Sequence, residues 1–251
     1  MQSSGLEFTV LERTARVECA GPLAGQLVDA ALEVSADLEV RPAAFHDADL
    51  VMDTAYRQLP GLLEELSQRL TQWGVEQRRG ELLMLHAAAV ADPSSGATVA
   101  FVGPSGAGKS TAARILGRDW GYLGDEVVAL RADHSLVPLR RPLALLTADH
   151  PEKALVPADR LGLLPAPASP WLAGLVVLNR QPGAELAVER LLTIDALPLL
   201  APQTSFLGSF ERPLHRLAAA AQAAGGVRRA TYGEADQLGG VVGDLVRGAS
   251  R

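Results

Sequence analysis

The stretch Ala97-Thr-Val-Ala-Phe-Val-Gly-Pro-Ser-Gly-Ala-Gly-Lys-Ser-Thr111 decides the fold. Its first six residues, Ala97 to Val102, are apolar or β-branched and predict a short buried strand. A glycine-rich segment follows, and the residues from Thr111 to Asp119 have the apolar face of a helix. A strand, a glycine loop and a helix in this order predict an α/β domain.

The segment from Gly103 to Ser110 fits the pattern G-x-x-x-x-G-K-[ST], which is typical of the phosphate-binding loop of nucleotide-triphosphate enzymes. Glycine permits the dihedral angles and the close approach that let backbone N–H groups surround phosphate oxygens. We expect Lys109 to reach the β- and γ-phosphates and the Ser110 hydroxyl to bind Mg²⁺. The positive end of the following helix points at the same phosphates. The predicted nucleotide-binding residues are Gly103, Pro104, Ser105, Gly106, Ala107, Gly108, Lys109, Ser110 and Thr111.

Composition and charge exclude several classes of function. The chain has 251 residues, of which 48% are hydrophobic and 21% charged, as in ordinary globular proteins. The formal net charge of −6 provides no electrostatic footprint for nucleic acid, so we expect no nucleic-acid partner. Cys19 is the only cysteine, which excludes a disulfide framework within the chain and fits a reducing cytoplasm. No signal-peptide pattern and no long apolar stretch is found, so we expect a cytoplasmic protein without a membrane partner.

Two domains are predicted, a small α+β domain over residues 1–80 and an α/β catalytic domain over 81–251. Alternating residues over 6–19 predict a hairpin, and leucines at helical spacing predict an amphipathic helix from Leu59 to Gln77. A further strand is predicted from Ala36 to Ala44. The later elements expected are strands at Glu81–Val90, Tyr122–Ala132 and Leu172–Leu178, a short helix within Glu189–Leu200, a helix at Pro213–Ala224, an edge strand at Arg229–Tyr232 and a terminal helix at Glu234–Val246.

An acid pair, Asp125-Glu126, follows the predicted loop and helix. Many nucleotide hydrolases instead carry a Mg²⁺-binding Asp after a later apolar strand. Here the corresponding strand ends at Leu178 and is followed by Asn179-Arg180, without an acid. The missing acid argues against motors, transporters and recombinases. The returning strand is expected to bring Asp125 beside the γ-phosphate, where it would orient or deprotonate a hydroxyl nucleophile. Glu126 would help to hold Mg²⁺. The alternative is a solvated acid pair at a strand edge.

His86 lies on the strand before the loop and is followed by three alanines. A lone histidine on an apolar strand is usually a core residue, whereas small neighbours leave room for a ligand, and both interpretations stay open. Arg140, Arg141 and Arg180 are further candidates for neutralising phosphate charge, with a surface role as the alternative.

Taken together, these segments resemble the catalytic domain of HPr kinase/phosphorylase and its relatives, closest to the small stand-alone serine kinases of modified (lasso-type) peptide biosynthesis. The matching segments are Leu85–Val90, Val99–Thr111 and Tyr122–Leu130. The resemblance implies a nucleotide site like that of phosphoenolpyruvate carboxykinase, with ATP as phosphoryl donor and a serine hydroxyl as acceptor. By matching position it implies that Asp125 is the catalytic acid/base, that His86 and Lys109 lie at the transferred phosphate, and that Glu126 lies beside the metal, where the family usually has Asp.

The resemblance also bears on partners. The first 80 residues are shorter than the regulatory domain of the HPr-specific enzymes, so the expected acceptor is a peptide or small protein other than HPr, such as a biosynthetic precursor peptide. Relatives of this kind often form homo-oligomers. Two other functions stay open: a P-loop kinase acting on a metabolite or sulfonucleotide, and a non-catalytic nucleotide-binding switch module.

Overall fold

A computed structural model of the chain describes residues 4–147 and 150–249 and has a mixed α/β fold. In chain order the strands are β1 (Ser4–Val10), β2 (Arg13–Ala20), β3 (Arg41–Ala43), β4 (Leu50–Asp53), β5 (Leu83–Ala91), β6 (Ala97–Val102), β7 (Gly121–Gly124), β8 (Val127–Leu130), β9 (Leu136–Val137), β10 (Leu143–Thr147), β11 (His150–Val156), β12 (Trp171–Arg180), β13 (Ala187–Leu191), β14 (Thr204–Ser205) and β15 (Val227–Tyr232). The α-helices are α1 (Ala24–Val34), α2 (Leu59–Gln77), α3 (Lys109–Leu116), α4 (Thr193–Leu200), α5 (Pro213–Ala223) and α6 (Leu238–Gly248).

The described residues form two compact units. The first contains the chain up to Arg78 together with Arg140–Leu161, and the second contains Arg79–Leu139 and the chain from Gly162 onward. The hairpin of β10 and β11 therefore belongs to the first unit although it lies far along the chain. The two predicted domains, 1–80 and 81–251, stay a prediction.

The first unit contains a four-stranded sheet in the order β3-β1-β2-β4. The predicted hairpin is confirmed, because β1 and β2 pair antiparallel in register around a turn at Leu11-Glu12. The amphipathic helix is also confirmed as α2, whose buried face includes Leu62, Leu66 and Leu70 at intervals of one turn. The strand predicted from Ala36 to Ala44 is wrong in its first half, which is a 3₁₀ helix, and Glu39 then turns the backbone with a φ of 48°.

The second unit is built on a mixed sheet whose main path runs β13-β15-β12-β6-β5-β8-β9, with β7 and β14 also paired to β5. The strands β6, β12 and β15 are parallel, and β5 is antiparallel to β6. Helices α4 and α5 cover one face of the sheet, and α3 and α6 cover the other. Burial on both faces explains why β6 and β12 are almost continuously apolar.

One prediction at the far side of this sheet is wrong. The strand predicted at Arg229–Tyr232 is not an edge strand, because β15 lies between β12 and β13. The edge strand is β13. The short helix predicted within Glu189–Leu200 is confirmed as α4, which begins at Thr193. Strand order depends on pairing between distant segments, which local residue patterns do not reveal. Among the described residues, no helix is long and apolar enough to span a bilayer.

Candidate functional site

One strand, β5, connects the predicted site residues. On one side it pairs with β6, so that Ala87 lies opposite Val102, the last residue before the glycine loop Gly103–Gly108. On its other side it pairs with both β7 and β8, and His86 lies opposite Val127. The acid pair Asp125-Glu126 joins β7 to β8. The backbone pairing therefore brings His86, the glycine loop and the acid pair together.

The glycine loop has the backbone conformation that its glycines permit. Gly106 and Gly108 have φ values of 82° and 92°, which belong to the left-handed region. A Cβ atom on Gly103 would lie 2.9 Å from Cβ of Ala107, and one on Gly108 would collide with the hydroxyl of Tyr232. Helix α3 begins directly after Gly108, which provides no side-chain cap for its first turn. The N–H groups of that turn have no acceptor within the helix, which is the arrangement that suits an anion.

Lys109, the first residue of α3, has a buried side chain that turns back over the loop. Its ammonium group donates hydrogen bonds to the carbonyl oxygens of Gly103, at 2.7 Å, and Pro104, at 3.1 Å. Burial lowers the pKa of Lys109, while the negative charges of Glu126 and Asp125 act in the opposite direction.

The acid pair interrupts the strand that was predicted from Tyr122 to Ala132, and β8 ends at Leu130, so that prediction is wrong at the acid pair and at its last two residues. Gly124, with a φ of 153°, ends β7, and the carbonyl of Glu126 accepts a hydrogen bond of 3.2 Å from the Ala87 N–H. Asp125 is only 7% exposed, and its carboxylate accepts a hydrogen bond from the Tyr122 hydroxyl. A buried, oriented carboxylate is unlike the solvated acid pair that was the alternative.

His86 lies on the face of the sheet that α3 covers. Side chains alternate along a strand, and Val90, which shares the parity of His86, packs with Leu116 of α3. The imidazole is 42% exposed, and its Nδ1 lies 3.9 Å from Oε1 of Glu126. This exposure and the neighbouring carboxylate argue against a packed core histidine.

Both predicted metal ligands have accessible side chains. The Ser110 residue is exposed in the first turn of α3, and the Glu126 side chain is 38% exposed. No group of three or more metal-binding side chains occurs in residues 4–147 and 150–249. Mg²⁺ commonly keeps several waters and takes one or two protein ligands beside phosphate oxygens, so this donor set fits Mg²⁺ bound with a nucleotide.

The three arginine candidates lie in different places. Arg140 forms an ion pair of 3.3 Å with Asp37, and Arg141 belongs with it to the first unit. Arg180 ends β12 on the same sheet as the glycine loop, and its Cδ lies 3.7 Å from the position of a Cβ on Gly108. Its guanidinium donates to the carbonyl of Gly233 and pairs with Glu234 at 3.4 Å. Of the three, Arg180 is therefore beside the loop.

Sequence reasoning missed two tyrosines that contact the site residues. Tyr122 lies three positions before Asp125, and its place on a strand next to the acid pair was a usable signal. Tyr232 donates a hydrogen bond of 2.7 Å to the carbonyl of Ala107, 125 positions earlier in the chain. Only the parallel pairing of β6, β12 and β15 brings Tyr232 to the loop, and no local pattern indicates it.

No family model matches the chain, and no curated protein matches it.

Proposed function

We propose that the chain is an ATP- and Mg²⁺-dependent kinase that transfers the γ-phosphoryl group to a serine hydroxyl of a peptide or small protein. In this proposal the second unit contains a P-loop core related to HPr kinase, and residues Gly103 to Thr111 bind the phosphates. The adjacency of the glycine loop, the buried Asp125 and the exposed His86 around β5 is the observation that carries the proposal.

The chain's own residues divide the work of phosphoryl transfer. The loop amides and the α3 N-terminus bind phosphate oxygens, and the Lys109 ammonium balances the charge that develops on the transferring group. Asp125 accepts the proton of the attacking hydroxyl, and the hydrogen bond from Tyr122 orients its carboxylate. His86 contributes a second polar group at the transferred phosphate, next to Glu126.

Magnesium has a defined place in this proposal. Ser110 and Glu126 would hold the ion, which when bound neutralises charge on the β- and γ-phosphates. The carbonyl of Glu126 accepts a hydrogen bond from the Ala87 N–H of β5, and this bond fixes the backbone that carries the Glu126 carboxylate.

Transfer of labelled phosphate from [γ-³²P]ATP to a serine-containing peptide library tests the proposal. We expect transfer by the wild-type chain in Mg²⁺, and a loss of about 10²- to 10⁴-fold in Asp125→Asn, the size typical of removing a general base. Lys109→Met should abolish ATP binding. The matched control is Asp119→Asn, which makes the same chemical change at an exposed position of the second unit and should retain full activity.

The other outcomes separate the rival functions. Phosphorylation of hydroxylated metabolites without any labelled peptide would replace the proposal with a small-molecule kinase. ATP binding that depends on Lys109, without transfer to any acceptor, would indicate a switch module. Full activity in Asp125→Asn would remove Asp125 from the role of base.

A further inference from the structure

A buried tyrosine holds the glycine loop from the side of the sheet away from the acid pair. Tyr232 ends β15, which is separated from β6 by β12, and its side chain is fully buried. Its hydroxyl donates a hydrogen bond of 2.7 Å to the carbonyl oxygen of Ala107. The proposed chemistry does not use this contact.

The contact fixes the orientation of one peptide group. The described residues contain no cis peptide bond, and in a trans peptide the C=O and the following N–H point in opposite directions. Because the Ala107 carbonyl points at the buried Tyr232, the N–H of Gly108 points away from it, toward the outer side of the loop. The reversed orientation would direct a carbonyl oxygen outward, where it would repel an anion.

Two further features preserve this contact. Gly108 has no side chain, and a Cβ there would occupy the position of the Tyr232 hydroxyl, so the glycine leaves room for the hydrogen bond. Burial raises the pKa of Tyr232, which keeps the hydroxyl protonated and able to donate. The peptide orientation is therefore set before any ligand arrives.

We propose that Tyr232 is a positioning residue that presets the glycine loop for phosphate binding, by holding the Ala107–Gly108 peptide so that the Gly108 N–H is directed at the β-phosphate of a nucleoside di- or triphosphate. The inference rests on the proposed nucleotide-binding function and adds a residue that sets affinity for the phosphate chain. Ligands would be distinguished by their number of phosphates, because backbone N–H groups of this loop type contact the phosphate chain of the nucleotide.

Isothermal titration of the full chain with ATP, ADP, AMP and inorganic tripolyphosphate tests the inference in Tyr232→Phe. This variant keeps the ring and removes only the hydroxyl. We expect the Kd values for ATP, ADP and tripolyphosphate to rise about 5- to 30-fold, since one charge-assisted hydrogen bond becomes weaker. The Kd for AMP, which lacks a β-phosphate, should stay at its wild-type value.

Thr98→Val is the matched control, because it removes the hydroxyl of a fully buried side chain of the same unit, which donates a hydrogen bond to the carbonyl oxygen of Gly96. It should destabilise the protein to a similar extent and leave the Kd values for all four ligands unchanged. Replacement of Tyr232 by 3-fluorotyrosine, which retains a donor hydroxyl, should restore the affinities that phenylalanine loses.

Several results would overturn the inference. If Tyr232→Phe binds ATP as the wild type does while Lys109→Met does not, the inference fails and the nucleotide-binding proposal stands. A loss that is equal for AMP and ATP would indicate a merely structural role. If the wild-type chain binds none of the four ligands, both the inference and the nucleotide-binding proposal fail.

NMR of the wild-type chain provides a test that needs no variant. We expect a slowly exchanging proton on the Tyr232 hydroxyl, both with and without ADP. The absence of this proton signal would contradict the inference.

Discussion

The hydroxyl of Tyr122 donates a hydrogen bond of 3.2 Å to Oδ1 of Asp125, and both side chains are buried. Tyr122 belongs to β7, and the acid follows that strand directly, so the donor and acceptor are fixed by one short segment of backbone. The hydrogen bond holds this carboxylate oxygen in a fixed position. The pair therefore orients the group to which we assign proton transfer.

Removal of the Tyr122 hydroxyl should slow catalysis without weakening nucleotide binding. In Tyr122→Phe the Asp125 carboxylate loses an orienting donor, and we expect kcat to fall about 10-fold, the cost of roughly one hydrogen bond in the transition state. Steady-state kinetics with the best peptide acceptor measure kcat, and titration measures the Kd for ATP. A rise in the ATP Kd with an unchanged kcat would contradict the assignment.

Substitution of Glu126 should change the requirement for Mg²⁺. Glu126→Gln removes a charged oxygen donor, so the Mg²⁺ concentration for half-maximal activity should rise about 10-fold or more. Glu126→Asp retains the charge on a shorter side chain and should have a smaller effect. Titration of activity with Mg²⁺ at saturating ATP distinguishes the two variants, and an identical Mg²⁺ dependence in all three proteins would remove Glu126 from the metal site.

Nucleotide affinity should depend on pH through Lys109. Because burial lowers the pKa of this lysine, its ammonium loses the proton at a lower pH than the ordinary value of 10.5. The charged form attracts phosphate, so the affinity for ATP should be greatest below the lowered pKa and should fall as the pH rises through it. Titrations between neutral and alkaline pH check this.

The control for this pH dependence is Lys109→Arg, whose guanidinium stays protonated over the same range. Its affinity for ATP, although altered in size, should not change with pH. A parallel decline in the wild type and in Lys109→Arg would assign the pH dependence to a different group.

A methyl group at Gly108 should disable the loop. In Gly108→Ala the new Cβ would collide with the Tyr232 hydroxyl, and the φ of 92° adds strain of about 1–2 kcal/mol. Gly106→Ala is the control, because its φ of 82° has similar strain but no atom lies within 4 Å of its Cβ position. We expect the loss of ATP affinity to be much greater for Gly108→Ala, and Tyr232→Phe to recover part of it in the double variant.

Two glycines of the first unit should respond to alanine in opposite directions. In α2, a Cβ on Gly74 would collide with Cγ1 of Val10, so Gly74→Ala should lower the free energy of unfolding by about 1–3 kcal/mol. In α1, Gly25 has no atom within 4 Å of its Cβ position, and Gly25→Ala should raise that free energy by about 0.5–1 kcal/mol. Urea denaturation measures both, and equal effects would contradict the packing described at Gly74.

Local sequence was sufficient for the elements that local interactions determine. The strand Ala97–Val102 is confirmed to the residue, and the helix after the loop is present, although it begins at Lys109 and ends at Leu116 instead of covering 111–119. Gly117 follows the helix, which ends three residues before the predicted end. Likewise the leucine spacing of α2 was enough to predict both of its ends.

The arrangements that sequence did not reveal depend on contacts between distant segments. The hairpin of β10 and β11 belongs to the first unit, and β13 rather than β15 is the sheet edge, because pairing and packing decide both. The contact between Tyr232 and Ala107 needs two parallel pairings, across β12, before the residues meet. The functional roles of His86, Asp125 and Glu126 stay predictions. The structure adds the distance from His86 to Glu126 and the hydrogen bond that Asp125 accepts from Tyr122.

The double pairing of β5 has a consequence for how such a protein can diversify. The spacing between His86, the glycine loop and the acid pair is set by backbone hydrogen bonds to β6 and β8, not by side-chain contacts. Mutations in the surrounding side chains therefore leave this spacing intact. Acceptor preference can drift during evolution while the proposed catalytic centre is inherited unchanged, whereas a slip of β5 by one residue would turn His86 to the opposite face of the sheet, away from the acid pair.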